Sequence, residues 1–171
     1  EPGDKMEVAI KRLNKEMKIN LALASIHWKF DEGTLVTNGT GGIIGREFDW
    51  PARANVEFDL AWPTTLGIDI ILCADQLYTL NYVNAYAIRL NSSYAYLYRY
   101  TSDGKNFQTS SLGSIQIMRH IAGKKKGRFS ICMDKKKKEI TLMFEGKLIK
   151  KWREPAVWAA KGRALQFNPQ T

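Results

Sequence analysis

Between Arg128 and Trp152 apolar and polar residues alternate with a period of two, and this pattern constrains the fold more than any other feature. Phe129, Ile131 and Met133 share one face of an extended segment, and Ile140, Leu142 and Phe144 share one face of the next. Glu145-Gly146 supplies a tight turn into a third segment, Lys147–Trp152. Three such segments in succession make an antiparallel meander with one covered face. A helix would need apolar residues at intervals of three and four, which this stretch lacks.

The same signals extend upstream. Short apolar, β-branched and aromatic runs broken by Gly, Asn, Asp and Pro predict strands near 22–30, 34–37, 42–48, 55–62, 67–73, 77–81, 85–90, 94–100, 114–121, 128–133, 140–144, 147–152 and 163–167. Parallel β–α–β repeats are not visible, so the expected fold is all-β: a sandwich or a barrel. Residues 5–18 are the exception. Met6, Ile10, Leu13 and Met17 recur at spacings of four, three and four, and Asp4 is placed to cap, which predicts a short N-terminal helix. The expected division is a helix or lead-in over 1–20 and one sandwich domain over 21–171, consistent with 171 residues of which 44% are apolar.

The formal charge of +9 is uneven. Residues 119–171 hold 15 Lys/Arg against four acids, a net of +11, so the first 118 residues carry −2. Lys135, Lys136, Lys137 and Lys138 occupy the first meander connection, and the meander returns Lys150, Lys151 and Arg153 toward it. The rim they form either holds an anionic polymer or acidic protein, or is a solvated turn that keeps sheet edges from pairing with other chains. A nucleic-acid partner is not expected, because the tyrosines and the lysines sit in different strands. No apolar run approaches the roughly 18 residues that cross a bilayer.

Much chemistry is excluded. His27 and His120 are the two histidines, and neither H-E-x-x-H nor C-x-x-C occurs, so no zinc or other metal site is expected. A G-x-S-x-G elbow is missing, and the glycines of 39–45 lack the spacing of a phosphate cradle. No Asp-rich calcium loop is present; a calcium site assembled from dispersed loops leaves no local signature. Cys73 and Cys132 read as two separate thiols rather than a pair.

All seven tyrosines fall within residues 78–100, and Tyr94, Tyr96, Tyr98 and Tyr100 alternate with Ala95, Leu97 and Arg99. In a strand they form a four-ring ladder on one face. Such a ladder either stabilises the sheet through cross-strand pairs or offers flat apolar platforms with polar edges, suited to stacking against sugar C–H faces. Arg89, Asn91, Trp62 and Arg99 are the candidate neighbours.

Three stretches carry a family resemblance: Trp28–Leu35 followed by Gly41-Gly-Ile43; Val56–Trp62; and the meander segments Gly127–Asp134 and Ile140–Leu148. Together they make the sequence resemble the concanavalin A-like lectin/glucanase superfamily, which includes laminin G-like domains. Within it the likeness is to bacterial sandwich domains of unknown function associated with 3-keto-disaccharide hydrolysis. The resemblance implies a two-sheet antiparallel jelly-roll sandwich with one concave sheet, a glycan ligand, and an extracytoplasmic or cell-surface setting. The implied function is a non-catalytic, lectin-like carbohydrate-binding module within a larger bacterial surface or signalling protein. Two alternatives stand beside it: a glycoside hydrolase, and a structural or protein-interaction domain using the basic rim. For the hydrolase, Glu57 and Asp59 are the candidate carboxylates, since residues two apart in a strand share a face and retaining glycosidases need carboxylates roughly 5–5.5 Å apart. They match the first two acids of the family's E-x-D-x-x-E motif, but Trp62 stands where the third belongs.

Overall fold

In the computed structural model, side chains are described for residues 42–62, 64–77, 79, 83–158 and 160–170, and the backbone alone for four amino-terminal strands. The elements in chain order are β1 (Lys5–Arg12), β2 (Lys15–Ala22), β3 (Trp28–Asp31), β4 (Thr34–Thr37), β5 (Ile44–Glu47), β6 (Arg53–Ala61), β7 (Gly67–Ala74), β8 (Ala85–Asn91), β9 (Tyr94–Ser102), β10 (Phe107–Gln116), α1 (Met118–Ile121), β11 (Lys126–Asp134), β12 (Glu139–Phe144), β13 (Lys147–Arg153) and β14 (Ala164–Pro169).

Two antiparallel sheets form a sandwich. The front sheet runs β10-β9-β8-β7-β14-β5 and the back sheet β2-β1-β6-β11-β12-β13, with the pair Ala22↔Gly45 joining them between β2 and β5. β3 and β4 form a separate hairpin. The long-range pairings are those of β14 with β5 and β7 and of β6 with β1 and β11.

The predicted meander is present. Phe129 pairs with Phe144, Ile131 with Leu142 and Met133 with Ile140, and all six side chains are buried. Glu145 and Gly146 both have positive φ, 50° and 73°, the backbone that a two-residue hairpin turn demands. Facing these residues across the core are Ile68, Ile70 and Leu72 of β7 and Ile88 and Leu90 of β8. An aromatic cluster ties the sheets together: Phe129 lies 4.8 Å from Phe144, and Phe58 meets Phe167 edge-on at 5.2 Å. Truncating a fully buried ring of this kind costs about 3–5 kcal/mol.

Three expectations are corrected. The amino-terminal segment is a hairpin of β1 and β2, with Ile10 opposite Met17 and Val8 opposite Ile19. Met6, Val8 and Ile10 also repeat every second residue. Given a strand edge to pair with, the period of two prevails: β1 lies along β6 with Ala9 opposite Glu57. The short helix is instead α1, inside the strand predicted over 114–121. The strand preceding it, β10, begins at Phe107. Its sequence FQTSSLGSIQ carries little β-propensity, yet its backbone pairs with β9 along its length, shifting register between Ser111 and Gly113. Most of the strand predicted over 77–81 lies outside the described residues.

Candidate functional site

The tyrosine ladder exists and lies on the outer face of the front sheet. Ring centroids of Tyr94 and Tyr96 are 5.8 Å apart; Tyr96 and Tyr98 stack at 5.9 Å with 14° between planes, and Tyr98 and Tyr100 at 6.5 Å with 12°. Alternation puts Ala95 and Leu97 on the other face, buried in the core. The flanking strands give the rings room. Ala87 and Ala85 of β8 oppose Tyr98 and Tyr100, while Ser114, Ser111 and Thr109 of β10 oppose Tyr96, Tyr98 and Tyr100. The rings stand as a ridge with small neighbours on both sides of Tyr98 and Tyr100, while Tyr96 lies between Ser114 and Arg89 and Tyr94 lies opposite Gln116.

The ridge is open at one end and closed at the other. Tyr94 is 40% exposed, Tyr96 and Tyr98 are half-buried, and Tyr100 is 7% exposed. Tyr100 belongs to a second apolar cluster with Ile71, Val83 and Ala85, and Phe107 caps it at 5.5 Å. Burial, with the nearby Asp69 carboxylate, pushes its hydroxyl above the usual tyrosine range. The accessible platform is therefore three rings rather than the expected four.

Arg89 stands beside the open end. Its register neighbours are Tyr96 on one side and Asp69 on the other. Nε and Nη2 donate to the two oxygens of Asp69, both at 2.8 Å, in a planar fork. The Asp69 side chain is fully buried, whereas that of Arg89 is 40% exposed. The guanidinium carbon lies 5.6 Å from the Tyr98 ring centroid, a cation–π contact. Asp69 holds Arg89 more firmly protonated than a free arginine. Asn91 contributes indirectly: its Oδ1 accepts from the backbone N–H groups of Ser93 and Tyr94, fixing the turn that presents Tyr94. A groove of about 640 Å³ opens here, lined by Arg89, Asn91, Ser92, Tyr94, Thr65 and Gln170 among others.

Two expected members lie elsewhere. Trp62 is 6% exposed and packs in the core against Phe129 and Phe144. Arg99 occupies the inward-facing phase of β9. Its Nη1 donates to Glu154 at 2.9 Å, and Glu154 also accepts from the Tyr86 hydroxyl and the Ala156 N–H. This buried cluster joins β8 and β9 to the end of β13. Asp69 and Glu154 were not singled out from sequence. The available signal was an acid in an otherwise apolar strand (Gly67–Ala74) and an acid directly after a buried tryptophan strand.

The carboxylate pair lies on the outer face of the back sheet and is not arranged for acid–base chemistry. Asp59 accepts two hydrogen bonds from Arg128, at 2.9 and 2.7 Å. Arg128 holds the Asp59 carboxyl below its usual range, the opposite of what a general acid needs. Glu57 accepts from Asn55 Nδ2 at 2.7 Å. Pairing of β6 with β11 is unbroken from Arg53 to Ala61, so position 62 falls on the inward face and no third acid could join the pair there.

The basic rim is brought together in part. The backbone N–H of Glu154 donates to Lys138 O, and Arg153 is opposite Glu139, so the Lys135–Lys138 turn and the end of β13 are neighbours. Acids are interleaved with them. Lys151 pairs with Glu139 at 3.7 Å, Arg53 pairs with Asp134 at 2.8 Å, and Lys135 donates to Trp50 O. Lys136 and Lys137 are exposed at the turn, and Lys150 lies farther along β13 opposite Leu142. Both cysteines are free thiols. Among the described residues no group of three His, Cys, Asp or Glu side chains is placed to hold a metal ion, and no helix is long and apolar enough to cross a membrane.

No family model and no curated protein sequence matches this chain. Solved structures do resemble it in fold. The carbohydrate-binding module CBM66 from Bacillus subtilis superposes with a TM-score of 0.56 at 10% identity, covering 86% of each chain. Porphyranase B from Zobellia galactanivorans matches at 0.43 and 13% identity, over 95% of this chain and 62% of its own. The CBM40 of the Ruminococcus gnavus IT-sialidase matches at 0.39 and 11% identity, over 65% and 61%. The first shares the β-sandwich fold of this chain.

Proposed function

We propose that this chain is a non-catalytic carbohydrate-binding module and that Tyr94, Tyr96 and Tyr98 form its sugar platform. The observation that carries the reading is the ridge itself: three accessible rings in succession along one strand, with Ala87 and Ser111 beside Tyr98, Arg89 and Ser114 beside Tyr96, and Gln116 beside Tyr94. Such rings present apolar faces and polar edges, the combination that packs against sugar C–H groups while leaving hydroxyls hydrogen-bonded. A shared fold with a carbohydrate-binding module is compatible with this role. The reading is non-catalytic because Asp59 is engaged by Arg128 and the third position of the glucanase-like motif points into the core.

Calorimetric titration against a panel of oligosaccharides tests it. Tyr96→Ala and Tyr98→Ala each weaken binding of whichever sugar the parent protein takes by at least about tenfold, the scale of one lost stacking contact. Unchanged binding in folded Tyr96→Ala and Tyr98→Ala proteins would falsify the platform.

A further inference from the structure

We propose that the groove beside Tyr94 selects uncharged sugars and that the Arg89–Asp69 pair sets this selectivity; the inference rests on the sugar-binding reading above. Five residues form a row across the front sheet: Asn168, Asp69, Arg89, Tyr96 and Ser114. Within the row Asp69 is fully buried and gives both carboxylate oxygens to Arg89. The positive charge of Arg89 is thereby matched by a fixed negative charge held against it.

What the pair offers a ligand is hydrogen-bond donors rather than net charge. Arg89 Nε and Nη2 serve Asp69, while Nη1 has no protein partner among the described residues. Arg89, with a side chain 40% exposed, lines the groove that Tyr94 also lines. Held by two bonds and by the Tyr98 ring, it is ordered before any ligand arrives, so little conformational entropy is lost on binding. Planar N–H donors at a fixed position suit neighbouring hydroxyl oxygens of a sugar ring. A carboxylate or sulfate would meet an already compensated arginine and the Asp69 charge close behind it. Among the described residues no other charged side chain lines the groove. The positive excess of the molecule lies instead in residues 119–171, largely on the back sheet and its turns.

A glycan array carrying neutral oligosaccharides and their sulfated or uronic-acid counterparts provides the test, followed by titration of the best neutral binder. The expected result is binding of neutral sugars at least about tenfold tighter than of the acidic counterparts, changing less than about twofold between roughly 50 mM and 500 mM salt. Arg89→Gln weakens neutral-sugar binding by about tenfold or more, as expected for loss of a charged donor. That variant leaves Asp69 buried without its cation, so Arg89→Gln/Asp69→Asn, which has no buried charge, is measured beside it and shows the same loss. Preference for acidic sugars, or neutral-sugar binding that needs Tyr96 yet is unchanged in the double variant, overturns this inference and leaves the platform standing. Binding indifferent to Tyr96 and Tyr98 overturns the platform itself.

Discussion

Each outer face of the sandwich carries an arginine–aspartate fork, and the two forks have nearly the same bond lengths. Arg89 meets Asp69 at 2.8 and 2.8 Å; Arg128 meets Asp59 at 2.9 and 2.7 Å. They differ in burial. Asp69 is fully buried, whereas Arg128 and Asp59 are 59% and 68% exposed. Hydrogen-bond geometry alone therefore does not say what a charged pair contributes. A buried acid ties its arginine in place and depends on it, while an exposed pair exchanges freely with water and salt. The surroundings follow the same division: the front face has an aromatic ridge with one ordered donor, and the back face has interleaved charges whose partners are mostly one another.

The contrast breaks most readily at the arginines. Arg89→Met leaves a buried carboxylate without its cation and lowers unfolding free energy by about 3 kcal/mol, read by chemical denaturation. Arg128→Met on the other face produces no resolvable change. Equal losses from the two variants would erase the distinction. In ligand binding, Tyr96→Ala costs at least about tenfold in affinity, roughly 1.4 kcal/mol, while Glu57→Gln and Asp59→Asn leave the titration curve in place. The two thiols extend the comparison from the inner to the outer side. Burial pushes the Cys73 thiol up to about 12, and its Sγ lies 3.6 Å from the Met133 sulfur. Cys132 is half-buried on the back face against Asn55. A maleimide followed by peptide mass analysis labels Cys132 first in the native protein and Cys73 only on unfolding. The smallest effect concerns pH. Asp59 has its carboxyl lowered by Arg128 from the usual 3.8, so its contribution is present above pH 3.8 and is lost as pH falls through the lowered value. Because the pair is exposed, Asp59→Asn changes the acid-unfolding curve only slightly, and raised salt removes the difference.

The meander, the turn at Glu145-Gly146, the tyrosine ladder and the all-β architecture were legible because each depends on a local period of two. The amino-terminal hairpin was not, since Met6, Ile10, Leu13 and Met17 satisfy a helical period and only pairing with β6 decides between the two. Nor was β10, whose serines are strand residues through their partner β9 rather than by propensity. Within the site, Arg89 was legible as a polar neighbour of the ladder. Its partner Asp69 is 20 residues away in sequence, and only the β7–β8 register brings the two together. Arg99 and Trp62 lie elsewhere for the same reason, since each falls on the inward phase of its strand. Arg99 points inward to Glu154, and Trp62, at the end of β6, packs among phenylalanines.

The central claim concerns which face a sugar occupies, and a structure of the protein soaked with a bound oligosaccharide tests it most directly. The expected result is a sugar ring stacked over Tyr94, Tyr96 or Tyr98 with a hydroxyl accepting from Arg89 Nη1. A sugar seated on the back face instead, in the groove of about 400 Å³ between Asn55, Asp134, Thr141 and Lys151, would contradict it.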